Sequence, residues 1–141
     1  MKSKKVILDT NLWISFLISK RQDEIDDLIY NEQIKLIFSK ELIEEFLTIA
    51  KRPKFQKYFT NESIHELLRL FDKYGKLVNV AIEIKECRDD KDNFLLNLAV
   101  ESKADYLVTG DTDLLVLRNI HKTKIINWGD FIREIKLTPL S

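Results

Sequence analysis

Residues 87–115 read CRDDKDNFLLNLAVESKADYLVTGDTDLL, and the order of features in that stretch decides the fold. Acids come first, at Asp89, Asp90 and Asp92. A run that is apolar nearly all round follows (Phe94, Leu95, Leu96, Leu98, Ala99, Val100), then the strand-like Tyr106-Leu107-Val108, then Thr109-Gly110-Asp111. A helix without a polar face belongs in the middle of a fold. Asp92 to Glu101 is therefore expected as a central helix, feeding a buried strand that ends on Asp111 and Asp113.

Toward the amino terminus the same pattern recurs. Val6-Ile7-Leu8 is a short apolar run ending at Asp9, and Leu12 to Ile18 reads as a helix opening directly after it. Ile25, Leu28 and Ile29 have helical spacing, and Leu36-Ile37-Phe38 reads as a second strand. Ser39 is an N-cap for a helix over Lys40 to Ala50, with Glu41 in its first turn and Pro53 beyond its end. Ser63 and Glu66 fit a capping box, Ile64, Leu67, Leu68 and Phe71 follow the helical period, and Gly75 closes that helix. A strand is expected within Leu77 to Ile84, another at Ile125-Ile126, and a last helix from Gly129 to about Ile135. Strands alternating with helices imply a three-layer α/β/α fold around a central, mainly parallel sheet of four to five strands. The length of 141 residues suits a single domain over 1–141.

Composition narrows the function classes. Hydrophobic residues are 45% and charged residues 33%, which excludes a disordered chain. One cysteine, Cys87, rules out an internal disulfide and suits a reducing cytoplasm. No run approaches the ~18 apolar residues of a membrane span. The 23 basic and 23 acidic residues cancel, so any attraction to nucleic acid must be local or must depend on bound cations.

In an open parallel sheet, ligands bind beyond the carboxyl ends of the strands. Asp9, Asp111 and Asp113 stand at such ends, and Asp89, Asp90 and Asp92 at a helix start. Taken singly, each group has a structural use: Asp9 as a cap, the 89–92 acids as partners of the helix dipole, Asp111 and Asp113 as turn formers. Together they would crowd like charges at one edge, a cost that a divalent cation removes. Glu45 falls at the margin of the apolar face of its helix while Glu44 falls nearer the solvent side, so Glu45 can point along the core boundary into the cleft; an ordinary surface glutamate is the competing reading. Oxygen donors select Mg²⁺ or Mn²⁺ over zinc, and neither His65 nor His121 has a partner at zinc-ligand spacing. Asp111-x-Asp113 lacks the glycine and the final glutamate of a calcium loop, Lys122 standing at the twelfth position.

The segments VILDTNLWISFL (6–17), FSKELIEEFLTIAKRPKF (38–55) and the 87–115 stretch together resemble the PIN-domain nucleases, in particular those described as toxins of toxin–antitoxin pairs. The similarity runs from about Lys5 to Phe131, with every acid in the expected order. It implies a PIN-like fold and a Mg²⁺- or Mn²⁺-dependent endoribonuclease acting on single-stranded RNA. Asp9, Glu45, Asp92, Asp111 and Asp113 would be its catalytic acids, with Asp9, Asp92, Asp111 and Asp113 holding metal. Thr10, Asn11, Asp89 and Thr109 would support them, Asn11 by holding Asp9 in place. An antitoxin protein and a homodimer are implied on the same grounds.

Lys51, Arg52, Lys54 and Lys57, interleaved with Phe55, Tyr58 and Phe59, form the best basic and aromatic patch for single-stranded RNA. A solvated helix end with a few core aromatics is the competing reading. Three other functions remain in view. A haloacid-dehalogenase-type phosphatase would need an Asp where Asn11 stands. A receiver-like Mg-binding module would call for a strand-end Lys after the acids. A non-catalytic partner-binding domain would keep its effect after Asp9→Asn.

Overall fold

The computed structural model describes residues 3–19, 24–25, 27–28, 31–62, 64–65, 68–69, 75–78 and 90–137, with backbone alone for 90–92 and 137. The expected features at Ile29, Ser63, Glu66, Leu67, Phe71, residues 79–84, Cys87 and Asp89 lie outside this set.

Six strands form one sheet among the described residues: β1 (Lys4–Leu8), β2 (Ile34–Phe38), β3 (Gly75–Leu77), β4 (Tyr106–Val108), β5 (Asn119–Ile120) and β6 (Thr123–Ile126). Their spatial order is β3-β2-β1-β4-β6-β5. All pairings are parallel except β5 with β6. The sheet thus has more strands than the four to five expected. The extra one, β5, is a two-residue antiparallel edge with no apolar run to announce it.

Successive side chains in a strand point to opposite faces. Val6, Ile7 and Leu8 are all buried, so both faces of β1 are covered and the sheet is an inner layer. Among the described elements, the cover comes from α1 (Thr10–Ile18), α2 (Lys40–Ala50), α3 (Asp90–Ser102), the single turn α4 (Thr112–Leu115) and α5 (Trp128–Leu137). Right-handed crossovers, which such connections almost always follow, put helices on both sides of the sheet. The core is continuous: Phe16, Leu36, Phe46, Leu95, Leu96, Leu98, Leu107 and Phe131 are all buried within it. The α3 helix is buried at Leu95, Leu96, Leu98 and Ala99, among the apolar residues that cover most of its surface.

Helix ends set where the strands begin and stop. Ser39 Oγ accepts from the Leu42 N–H at 3.1 Å and starts α2. At the far end of α3, the Lys103 N–H bonds Val100 O and the Ala104 N–H bonds Ala99 O, with Lys103 at φ 55°. This is a Schellman closure with a lysine at the left-handed position that glycine usually fills. It turns the chain sharply into β4, whose approach is secured by Asp105 Oδ2 accepting from the Lys5 N–H at 2.8 Å. No helix among the described residues is long and apolar enough to cross a membrane.

Candidate functional site

The chain enters the sheet at β1, moves outward through β2 and β3, and returns to place β4 on the other side of β1. The β1–β4 boundary is therefore the point where the strand order reverses. Loops leaving two adjacent strands in opposite directions open a crevice there. Leu8 pairs with Val108 at the last rung. The next residues, Asp9 and Thr109, lie side by side at the mouth.

Asp9 is 8% exposed. Thr109 Oγ1 donates to Asp9 Oδ2 at 2.6 Å, and the Asn11 N–H donates to Oδ1 at 3.3 Å. The same Thr109 hydroxyl accepts from the Asp111 N–H at 3.0 Å. One buried threonine thus ties the carboxylate after β1 to the loop after β4. Asp111 in turn caps α4, its Oδ1 accepting from the Asp113 N–H at 2.8 Å. Both strand-end acids act as caps, Asp9 for α1 and Asp111 for α4, so the structural use weighed from sequence is present alongside their convergence.

Burial raises the Asp9 carboxyl above its ordinary range, and the nearby Asp111 charge pushes the same way, against the Thr109 hydroxyl and the local backbone N–H groups. A cleft of about 430 Å³ opens beside this pair, lined by Asp9, Asn11, Leu12, Ser15, Gly110 and Asp111. An added Cβ at Gly110 would meet nothing within 4 Å, so that side of the cleft is open.

The remaining candidates take different positions. Thr10 Oγ1 donates to Glu45 Oε2 at 3.3 Å, which brings the half-buried Glu45 of α2 against the start of α1. Glu44 is exposed and faces Lys40 at 3.8 Å. Asn11 contributes its backbone N–H to Asp9, and its exposed side chain lines the cleft. Asp113 is half-buried in the first turn of α4 and does not line the cleft. The backbone puts Asp92 in the first turn of α3; its side chain, like all of Asp89, lies outside the described residues. Lys51, Arg52, Lys54 and Lys57 stand apart on the turn after α2, all exposed.

The donors at the cleft are oxygens only, and the buried Asp9 beside Asp111 is a repulsion that a hard cation relieves. In kind, these residues fit such an ion. Among the described residues, no three acidic, histidine or cysteine side chains are grouped closely enough to hold one. Asp9 and Asp111 are the pair brought together.

Residues 5–113 match the PIN domain family. The chain is 38% identical over 126 residues to the uncharacterized protein MJ1680 of Methanocaldococcus jannaschii, which covers 87% of this chain and 81% of that protein. Its fold is similar to a chain in the crystal structure of VapBC2 from Rickettsia felis bound to a DNA fragment from their promoter. The TM-score is 0.58 at 15% identity, covering 88% of this chain and 98% of that one.

Proposed function

The chain belongs to the PIN domain family, and from that membership we propose that it is a metal-dependent endoribonuclease hydrolysing phosphodiester bonds of single-stranded RNA. The observation that carries the reading is the Asp9–Thr109–Asp111 linkage. It holds a buried carboxylate, resistant to ionisation, beside a second acid in an open cleft. A structural cap does not need to be buried against a like charge.

In this reading Asp9, Asp92, Asp111 and Asp113 hold Mg²⁺ or Mn²⁺, and Glu45 completes the acidic set. The ion, when bound, supplies an acidified water and charge stabilisation at the phosphate. The protein's own part is orientation. Thr109 and the Asn11 N–H keep both Asp9 oxygens from rotating. Thr10 keeps Glu45 turned toward the start of α1. The exposed Asn11 side chain and the open flank at Gly110 leave room for a phosphodiester to enter.

We place the protein as the toxin of a toxin–antitoxin pair, forming a homodimer and held inactive by an antitoxin. Support for a partner comes from the sequence resemblance and from the fold shared with a chain of VapBC2. The decisive experiment uses purified protein with labelled single-stranded RNA, with and without EDTA. Cleavage that stops on chelation, returns with added Mg²⁺ or Mn²⁺, and falls by at least ~100-fold in Asp111→Asn supports the reading. Cleavage that persists in EDTA, or that is untouched by Asp111→Asn, overturns it.

A further inference from the structure

Residues 51–59, KRPKFQKYF, follow α2 directly, and no acid occurs between Glu45 and Glu62. In a chain whose charges cancel, this is a local excess of four positive groups. Lys51, Arg52, Lys54 and Lys57 are all exposed, and none is ion-paired with a described residue. The charge is solvated and open to an incoming anion.

The turn is also closed by its own backbone. The Lys51 N–H bonds Leu47 O, the Arg52 N–H bonds Ile49 O, and the Phe55 N–H bonds Arg52 O. The N–H groups of Tyr58 and Phe59 both bond Phe55 O. Phe59 is buried and meets Phe46 of α2 edge-on at 6.0 Å and Phe55 at 6.4 Å. Two aromatics therefore anchor the segment while Tyr58 stays 44% exposed. Lys57 Nζ lies 5.0 Å from the Tyr58 ring centroid and Lys54 Nζ 5.0 Å from that of Phe55. A cation over the exposed Tyr58 ring and another over the half-buried Phe55 ring, held on a hydrogen-bonded turn, match what an unpaired nucleic-acid strand offers: a phosphate and a free base face together. An acidic protein surface would engage the lysines and leave Tyr58 without a use. A duplex would keep its bases stacked.

The α2 helix sets the spacing between the turn and Glu45. Glu45 meets Thr10 at the start of α1, and Lys51 is six residues further along, about 9 Å of axial rise. We propose that the 51–58 turn is the track along which single-stranded RNA reaches the Asp9 cleft. Lys51, Arg52, Lys54 and Lys57 hold its phosphates and Tyr58 stacks one base. This deepens the ribonuclease reading and rests on it for the cleft's role.

The test separates binding from chemistry. Full-length Asp9→Asn protein is titrated with a fluorescent single-stranded RNA of about a dozen nucleotides in magnesium buffer over a series of salt concentrations. Each of Lys51→Gln, Arg52→Gln, Lys54→Gln and Lys57→Gln is expected to weaken binding several-fold and to lower the slope of log K against log salt by about 0.7. Tyr58→Ala is expected to weaken binding ~10-fold with the slope unchanged. In the cleaving protein the same variants raise KM at constant kcat, and cleavage of a dinucleotide, too short to reach the turn, does not change. Circular dichroism confirms that each variant is folded. If all four glutamine variants combined bind RNA with parental affinity and slope, or if a duplex binds as tightly as the single strand, the proposal is overturned. Should the parent bind RNA through these residues yet cut nothing, the binding surface stands and the catalytic reading alone fails.

Discussion

The acidic cleft and the basic turn differ in sign and, more instructively, in how the fold makes them. The cleft is non-local: Asp9 and Thr109 are a hundred residues apart in sequence and meet because β1 and β4 are neighbours. Its acid is buried and its hydrogen bonds are specific. The turn is local: nine consecutive residues, closed by their own backbone bonds and anchored by Phe59. Its charges are exposed. Single substitutions should therefore act sharply in the cleft and gradually in the turn.

Three changes test that contrast. The largest effect is expected where the turn abandons its gradual behaviour, at its buried anchor. Phe59→Ala should cost about 3 kcal/mol in chemical denaturation, with weakened RNA binding in the protein that remains folded. A loss under ~1 kcal/mol would mean that Phe59 does not anchor the turn. Next comes Thr109→Val, which keeps shape and deletes the hydroxyl between Asp9 and Asp111. Lower kcat by about 10- to 100-fold is expected, with RNA affinity at the turn unchanged. An equal fall in affinity would show that the two regions are not separable.

The smallest effect is on stability against pH in metal-free buffer. A carboxyl raised in the folded state holds its proton more tightly there than in the unfolded chain. Stability from Asp9 is thus fully present below its ordinary value, about 3.9, and is lost as pH rises through the raised folded value. Asp9→Asn has no such loss, so its melting temperature should exceed the parent's by a few degrees at neutral pH and converge with it in acid. Parallel curves across the whole range would show that burial imposes no ionisation cost.

Much of the frame was legible because its elements are strongly patterned. The apolar runs at Val6, Leu36 and Tyr106, the Ser39 cap and the apolar residues that cover most of α3 each have one dominant reading. What escaped was short or unmarked. The β5–β6 hairpin turns through His121 at φ 49°, without the Asn-Gly or Asp-Gly pair that usually announces such a turn. The closure of α3 uses Lys103 where glycine would have flagged it. At the site, separation along the helix correctly set Glu45 apart from Glu44, because a helix face is a local property. How Asn11 supports Asp9 was less visible: the group involved is its backbone N–H, which every residue but proline carries.

The hundred-residue span between Asp9 and Thr109 also has a consequence during synthesis. While a ribosome is still making the chain, the emerged amino-terminal half contains Asp9 and Glu45 but neither Thr109 nor Asp111. Closing so long a loop is slow and must follow translation of β4. The cleft therefore assembles only once β4 has emerged, and until then Asp9 and Asp111 stand apart.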